Sequence, residues 1–179
     1  MKYALVYGGI AGAIAISVLG ASLAFDLPNH NHSMVFGYLV MLTALSLIFV
    51  GVKRYRDVEC GGVIRFGRAF GVGLGMAAVA GIIYVVGWEI YENATGWRFM
   101  PEYTGSILDG MRAKGASPAA IAASEAEMRG FAEMYANPLM RIPMIFIEIF
   151  PVGLVVSLVS AAILRNPRVL PATHRATAA

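Results

Sequence analysis

The sequence has little charge: only 14% of its 179 residues are Asp, Glu, Lys or Arg, whereas soluble domains contain about 25%. Charged residues are sparse in four long windows, at about 3–25, 34–52, 67–91 and 141–165. Each is close to the roughly 20 residues that a helix needs to cross the hydrocarbon core of a bilayer. The windows also lack the regular polar stripe of a helix on a soluble core. We therefore predict an all-α membrane protein with four transmembrane helices.

The chain contains a single cysteine, Cys60, so it cannot form a disulfide framework or a thiol metal cluster by itself. Recognisable catalytic motifs are missing too: there is no G-x-S-x-G elbow, no H-E-x-x-H and no Gly-rich phosphate loop after a strand. The GVGLG stretch lies inside the third apolar window, where no strand precedes it. The sequence therefore predicts neither enzyme activity nor a cofactor.

The first window has two interpretations, because Lys2 precedes it and Ser22-Leu23-Ala24 resembles a signal-peptide cleavage site. Its apolar run of about 23 residues is longer than the 7 to 15 residues typical of a secretory signal. It is also as rich in glycine and alanine as the other windows. We therefore expect this segment to be retained as the first span.

Lysine and arginine are concentrated between the second and third windows and in the tail, whereas the first connection, DLPNHNHS, contains neither. Because positively charged loops are retained in the cytoplasm, this pattern predicts that both termini are cytoplasmic. The net charge of +3 is then explained by topology, without a nucleic-acid partner. The expected partner is the lipid bilayer, together with either another membrane protein or a second copy of the chain.

A polar segment between the third and fourth windows is long enough to have a structure of its own. Ser117-Pro118 is typical of a helix start, and apolar residues share one helical face at Ile121, Met128, Phe131 and Tyr135. We predict an outer, periplasmic amphipathic helical hairpin at about 99–137. Its apolar face either caps the bundle, lies on the membrane surface or binds a partner through Phe131 and Tyr135. The tail at 167–179 is predicted to be disordered.

Small residues recur every four positions in three of the windows. The glycines are Gly8 and Gly12, then Gly67, Gly71 and Gly75, and finally Gly153. Such spacing lets helix backbones approach closely in lipid. We expect these glycines to pack helices within the molecule; the alternative is a dimerisation face.

Two glutamates interrupt the apolar windows, Glu89 and Glu148, and Glu92 follows directly after the third window. The helical rise of about 1.5 Å per residue puts Glu89 and Glu148 in the outer third of the membrane, with Glu92 one turn beyond Glu89. An acid there normally faces the bundle interior and has a polar partner. The candidate partners of Glu148 are Arg141, Tyr84 and Tyr91. Pro151 is expected to kink the helix just below Glu148.

Two hypotheses follow for these acids. In the first, Glu148 is a hydrogen-bonded structural acid that holds the third and fourth spans together. In the second, Glu89 and Glu148 form an outward-facing site for protons or ions, with His30 and His32 from the first loop as weak metal-ligand candidates. A His-x-His pair in a short loop is usually solvated, so we predict no metal site.

Several long stretches together resemble one known family: GYLVMLTALSLIFVGVKRYRD, FGRAFGVGLG, IYVVGWEIY, NPLMR and FIEIFPVGLVVSLVSAAIL. They resemble the bacterial membrane family catalogued as domain of unknown function 4199, from the first span through Leu164. The resemblance implies a small four-helix inner-membrane protein, in a family without an established activity. Glu89 and Glu148 lie inside the resembling stretches, whereas His30 and His32 lie outside them, which weakens the metal hypothesis.

From these observations we predict a multi-pass protein of the bacterial inner membrane that acts as a non-enzymatic interaction or accessory component. The alternative is a small ion- or proton-coupled transport protein that uses carboxylates of the outer leaflet.

Overall fold

The computed structural model describes residues 1–24 and 34–172, so the predicted metal candidates His30 and His32 lie outside the described residues. Within the described ranges the chain forms helices and no strand, which confirms the all-α fold. A π-helical segment, Ala4–Gly8, comes first. Seven α-helices follow: α1 Gly9–Ala24, α2 Met34–Leu45, α3 Leu47–Glu59, α4 Phe66–Thr95, α5 Phe99–Ala113, α6 Pro118–Ala136 and α7 Pro138–Leu164.

Four helical segments in the described ranges are long and apolar enough to span a membrane: Ala4–Leu23, Val35–Glu59, Phe66–Thr95 and Pro138–Leu164. Each corresponds to one predicted window. The second segment continues past the predicted boundary at residue 52, because lysine and arginine are good helix formers and their long stems can reach polar surroundings. The second segment is also interrupted at Ser46, whose Oγ donates a hydrogen bond of 2.6 Å to the Thr43 carbonyl.

Helix α4 is central to the bundle and contacts α1, α3 and α7. Three of the predicted packing glycines lie against it: Gly8 against Met76, Gly12 against Ala80 and Gly153 against Ala77. A Cβ atom built on Gly12 would lie 2.5 Å from the Ala80 carbonyl oxygen, and one on Gly153 would lie 2.7 Å from the Ala77 Cβ. The helices therefore approach at distances that only glycine permits.

The glycine stripe at the start of α4 behaves differently. A Cβ on Gly67 or Gly71 would meet nothing within 4 Å, and one on Gly75 would make ordinary contact with Ala4 at 3.7 Å. The prediction that Gly67 and Gly71 pack within the molecule is therefore wrong. The buried face of α4 instead runs through Ala69 and Gly73, so that Gly67 and Gly71 are exposed.

Both described ends of the chain meet at the end of the bundle that carries the basic residues of α3. Lys2 Nζ lies 3.1 Å from Glu59 Oε1, and this ion pair raises the pKa of Lys2. Arg56 is fully buried and donates hydrogen bonds to the carbonyls of Val169 and Leu170. The prediction of a disordered tail is therefore wrong for residues 167–172, because a buried guanidinium holds that segment against α3.

Candidate functional site

The opposite end of the bundle is covered by helices α5 and α6. Ser117 caps α6 by accepting a hydrogen bond of 3.2 Å from the Ala120 N–H, and Pro118 occupies the first turn. Gly115 adopts a φ of 72° in the turn before it, a conformation that glycine adopts without strain. Two helices thus form in the predicted hairpin region, and of the three alternatives for their apolar face, capping the bundle agrees with the contacts.

Those contacts are made by aromatic side chains. The Phe99 ring packs edge-on against Trp88 of α4, with ring centroids 4.9 Å apart, and Trp88 Nε1 donates a hydrogen bond to the Tyr135 hydroxyl. Phe131 stacks on Tyr135 one turn earlier in α6. Tyr135 is 8% exposed, so the alternative in which it presents an exposed face to a partner is wrong. Burial also raises the pKa of its phenol.

Arg141, near the start of α7, joins this cap to the bundle. Its Nε and Nη2 donate to the two carboxylate oxygens of Glu89 at 2.7 and 2.8 Å, and its Nη1 donates to the Tyr135 carbonyl at 3.0 Å. The guanidinium also lies over the Trp97 ring, 4.4 Å from its centroid. Such a bidentate pair is strong and directional. The three interactions link α4, α6 and α7 through one side chain.

The structure divides the predicted polar site into two parts. Arg141 was a candidate partner of Glu148, but it pairs with Glu89 on the facing helix. Glu148 lies two helical turns farther along α7, which is about 10 Å at 1.5 Å per residue. Tyr91 does not pair with Glu148 either: it packs against Trp88, with ring centroids 5.6 Å apart, and faces Gly20 of α1.

Glu92 belongs to the part of the site around Arg141. It is 1% exposed, and its Oε1 has no hydrogen-bond partner among the described residues. It lines a cavity of ≈ 320 Å³ together with Trp97, Tyr135 and Arg141. Because Arg141 is committed to Glu89, Glu92 is a buried acid without a dedicated cation.

Glu148 lines a different and larger cavity of ≈ 450 Å³ beneath the hairpin. Its walls come from α1, α2, α4, α5, α6 and α7. They include four phenol rings, those of Tyr38, Tyr84, Tyr103 and Tyr135. Trp88, Phe99 and Phe131 add three more aromatic rings.

Among the described residues that line this cavity, Glu148 is the only one with a formal charge. Its side chain is exposed and lines the cavity, and it makes no hydrogen bond or ion pair with any described residue. Tyr84, a predicted partner, lies in the same wall and is 1% exposed. Pro151 lies within α7, which is helical from Pro138 to Leu164, and the kink expected there stays a prediction.

The dimensions and lining of this cavity are those of a small-ligand site. Such sites usually measure about 300–1,000 Å³ and combine mainly apolar and aromatic walls with a few polar groups. In 1–24 and 34–172, no group of three residues suited to metal binding occurs. The arrangement can therefore hold an apolar molecule and offer it one carboxylate and several hydroxyls.

These features define an all-α protein with four membrane-span-like helices and a ligand-sized cavity capped by a helical hairpin. The chain belongs to the family described as Protein of unknown function (DUF4199), whose sequence profile matches residues 2–166. This confirms the resemblance identified from the sequence. Among curated proteins and solved structures, none matches the chain.

Proposed function

We propose that this protein is a non-enzymatic binding component of a membrane, and that the cavity beside Glu148 is its binding site. The observation that carries the proposal is the contrast between Glu148 and Glu89. A carboxylate in apolar surroundings is costly, and one kept for structure alone normally has a partner. Glu89 has Arg141, whereas Glu148 faces the cavity without any such partner among the described residues. This contrast favours a role for Glu148 toward a bound molecule.

The proposed setting is a bacterial inner membrane, with both termini in the cytoplasm and the hairpin on the periplasmic side. Two observations support this orientation. The N-terminal and C-terminal segments meet at the end of the bundle that carries the basic residues of α3, and positive residues favour the cytoplasmic side. Trp88 and Trp97 lie at the other end, where aromatic residues would meet the second membrane interface.

Ion- or proton-coupled transport is the alternative, and the far halves of α4 and α7 argue against it. A route from Glu148 would have to pass between these helices, where the polar candidates are Ser157 and Ser160. Ser157 Oγ donates to the Gly153 carbonyl at 2.7 Å, and Ser160 Oγ donates to the Val156 carbonyl at 2.6 Å. Gly73 packs directly against Ser157. Both hydroxyls are thus used within α7, and the helices touch.

A cavity-filling variant tests the proposal. Gly37 lines the cavity, and a Cβ there would meet nothing within 4 Å, so Gly37→Phe should occupy the cavity without disturbing the helices. Gly71 is equally unobstructed but is not among the residues that line the cavity. Gly71→Phe is therefore the matched control.

The probe is N-phenyl-1-naphthylamine, a neutral apolar fluorophore that accepts energy from tryptophan. Binding is measured in maltoside micelles on a Trp97→Phe background, in which Trp88 is the remaining tryptophan donor. We expect energy transfer to saturate as the probe is added. Gly37→Phe should lower the affinity for the probe at least about tenfold, and Gly71→Phe should leave the affinity unchanged. Only linear, unsaturable uptake by the micelles, or equal saturation in both variants, would contradict the proposal.

A further inference from the structure

We infer that the ligand of the Glu148 cavity is an organic cation, with an ammonium group that contacts Glu148 and an apolar body that contacts the remaining walls. The inference rests on the proposed binding function and specifies its ligand class. The first argument is charge. Glu148 supplies one negative charge, and no described wall residue supplies a positive one.

Among the described residues, Arg141 is the cation nearest to Glu148 in sequence, and it is already used. Arg141 donates to both oxygens of Glu89 and to the Tyr135 carbonyl, and it lines the smaller cavity beside Glu92. It therefore cannot turn to Glu148 without leaving Glu89 unpaired. A cation that neutralises Glu148 must come from outside these helices.

The second argument is the aromatic lining. The cavity that Glu148 lines is also lined by Tyr84, Trp88 and Tyr135. The faces of aromatic rings attract cations, and tryptophan does so most strongly. Quaternary ammonium groups are typically bound in such aromatic surroundings. A metal ion instead prefers a shell of several oxygen or nitrogen ligands, whereas the described walls present mainly rings and hydrocarbon.

The third argument is the rest of the lining, which is aliphatic and thioether. Apart from Gly37, it consists of Leu19, Leu23, Met41, Met144 and Ile145. These side chains suit a hydrocarbon body, and methionine adapts its shape to irregular ligands. An amphipathic ammonium compound therefore satisfies both the charged and the apolar parts of the cavity.

The test uses hexyltrimethylammonium as the cationic probe, titrated by calorimetry into the full-length protein in maltoside micelles, which contain no ammonium group. Glu148→Gln preserves the size of the side chain and removes its charge, and Glu148→Asp retains the charge. The control is Glu133→Gln, which removes an exposed charge from α6 outside the cavity. N-phenyl-1-naphthylamine is titrated into the same variants as the neutral probe.

We expect Glu148→Gln to weaken cation binding at least about tenfold while changing binding of the neutral probe by less than about twofold. Glu148→Asp should retain most of the affinity, and Glu133→Gln should retain all of it. Unaltered cation affinity in Glu148→Gln, or an equal loss in Glu133→Gln, would overturn the inference.

If the neutral probe saturates the cavity and the cation does not bind, the ligand class is wrong but the binding function stands. If neither probe binds saturably, both proposals fail.

The ammonium group has two possible sources, a soluble amphipathic amine or the headgroup of a lipid such as phosphatidylethanolamine. Repeating the titration with added phosphatidylethanolamine distinguishes them. Competition with hexyltrimethylammonium in the wild type would assign the cavity to the lipid headgroup. Unchanged probe affinity would assign it to a soluble cation.

Discussion

Glu89 and Glu148 lie on facing helices in the same half of the bundle, yet their surroundings are opposite. Glu89 receives two hydrogen bonds from a buried arginine that also holds the hairpin. Glu148 receives none from the described residues and faces an aromatic cavity. The comparison indicates that an acid in an apolar helix is structural when its helix neighbour supplies a cation. Glu148 has no such partner among the described residues, and the proposed binding function assigns that role to a ligand.

The largest expected effect is on the paired side of this comparison. Arg141→Met should lower the free energy of unfolding by about 3 kcal/mol, because it leaves Glu89 unpaired and frees the end of α6. Arg129 is an exposed arginine on α6, 3.8 Å from Glu125, and Arg129→Met should cost less than about 1 kcal/mol. Thermal unfolding in detergent measures both. Equal midpoints for the two variants would show that the Arg141 pair is not what fixes the hairpin.

A second comparison is between glycines that touch α4 and those that do not. Gly12→Leu should destabilise the fold by about 2 kcal/mol or more, because its Cβ would collide with the Ala80 carbonyl. Gly71→Leu should leave the unfolding midpoint unchanged, since its Cβ meets no neighbour. Cross-linking of the same variants tests the alternative of a dimerisation face. Loss of a dimer in Gly71→Leu with an intact fold would place Gly71 at an interface between copies.

Tyr135→Phe should have a smaller effect, about 1 kcal/mol, because it removes the hydroxyl that accepts the Trp88 hydrogen bond. The pKa of Tyr135 is raised by burial, so its neutral form contributes stability that is complete below the unfolded pKa of about 10 and is lost above it. The stability of the wild type should therefore fall more steeply than that of Tyr135→Phe above pH 10. Parallel pH profiles of unfolding would refute this assignment.

The smallest effect is expected on the unpaired side. Glu148→Gln should change the unfolding free energy by less than about 0.5 kcal/mol, because no hydrogen bond or ion pair with a described residue is lost. Glu89→Gln should cost more, since it weakens the pair with Arg141. Unfolding of the two variants is measured side by side. A loss in Glu148→Gln as large as that in Glu89→Gln would mean that Glu148 is structural after all.

The fold was largely predictable because composition and local signals determine it. The apolar windows gave the four long helices, and Ser117-Pro118 marked the start of α6. The prediction that the glycines at the start of α4 pack against another helix failed for Gly67 and Gly71. Spacing within one helix shows that Gly67 and Gly71 share a face, but not which neighbouring helix, if any, that face meets.

The sequence predicted which residues belong to the candidate site, but not how they pair. Glu89, Arg141 and Glu148 stood out as charges in apolar windows, yet their pairing depends on how far α4 and α7 are shifted along each other. The rings of Phe99 and Tyr38 were missed as cavity residues, because an aromatic residue in an apolar helix is ordinary in sequence. Two signals were available, Tyr84 as a candidate partner of Glu148 and the shared face of Phe131 and Tyr135, and neither showed which surfaces would enclose a cavity.

Asn137 has a consequence for how the cavity can open. It ends α6 and caps α7, with its Oδ1 accepting the Leu139 N–H at 3.0 Å, so the two helices meet without a flexible linker. Arg141 braces the same joint by donating to the last carbonyls of α6. Helix α6 and α7, the fourth membrane-span-like helix, are therefore rigidly joined. We therefore expect the aromatic cap to follow any tilt of α7.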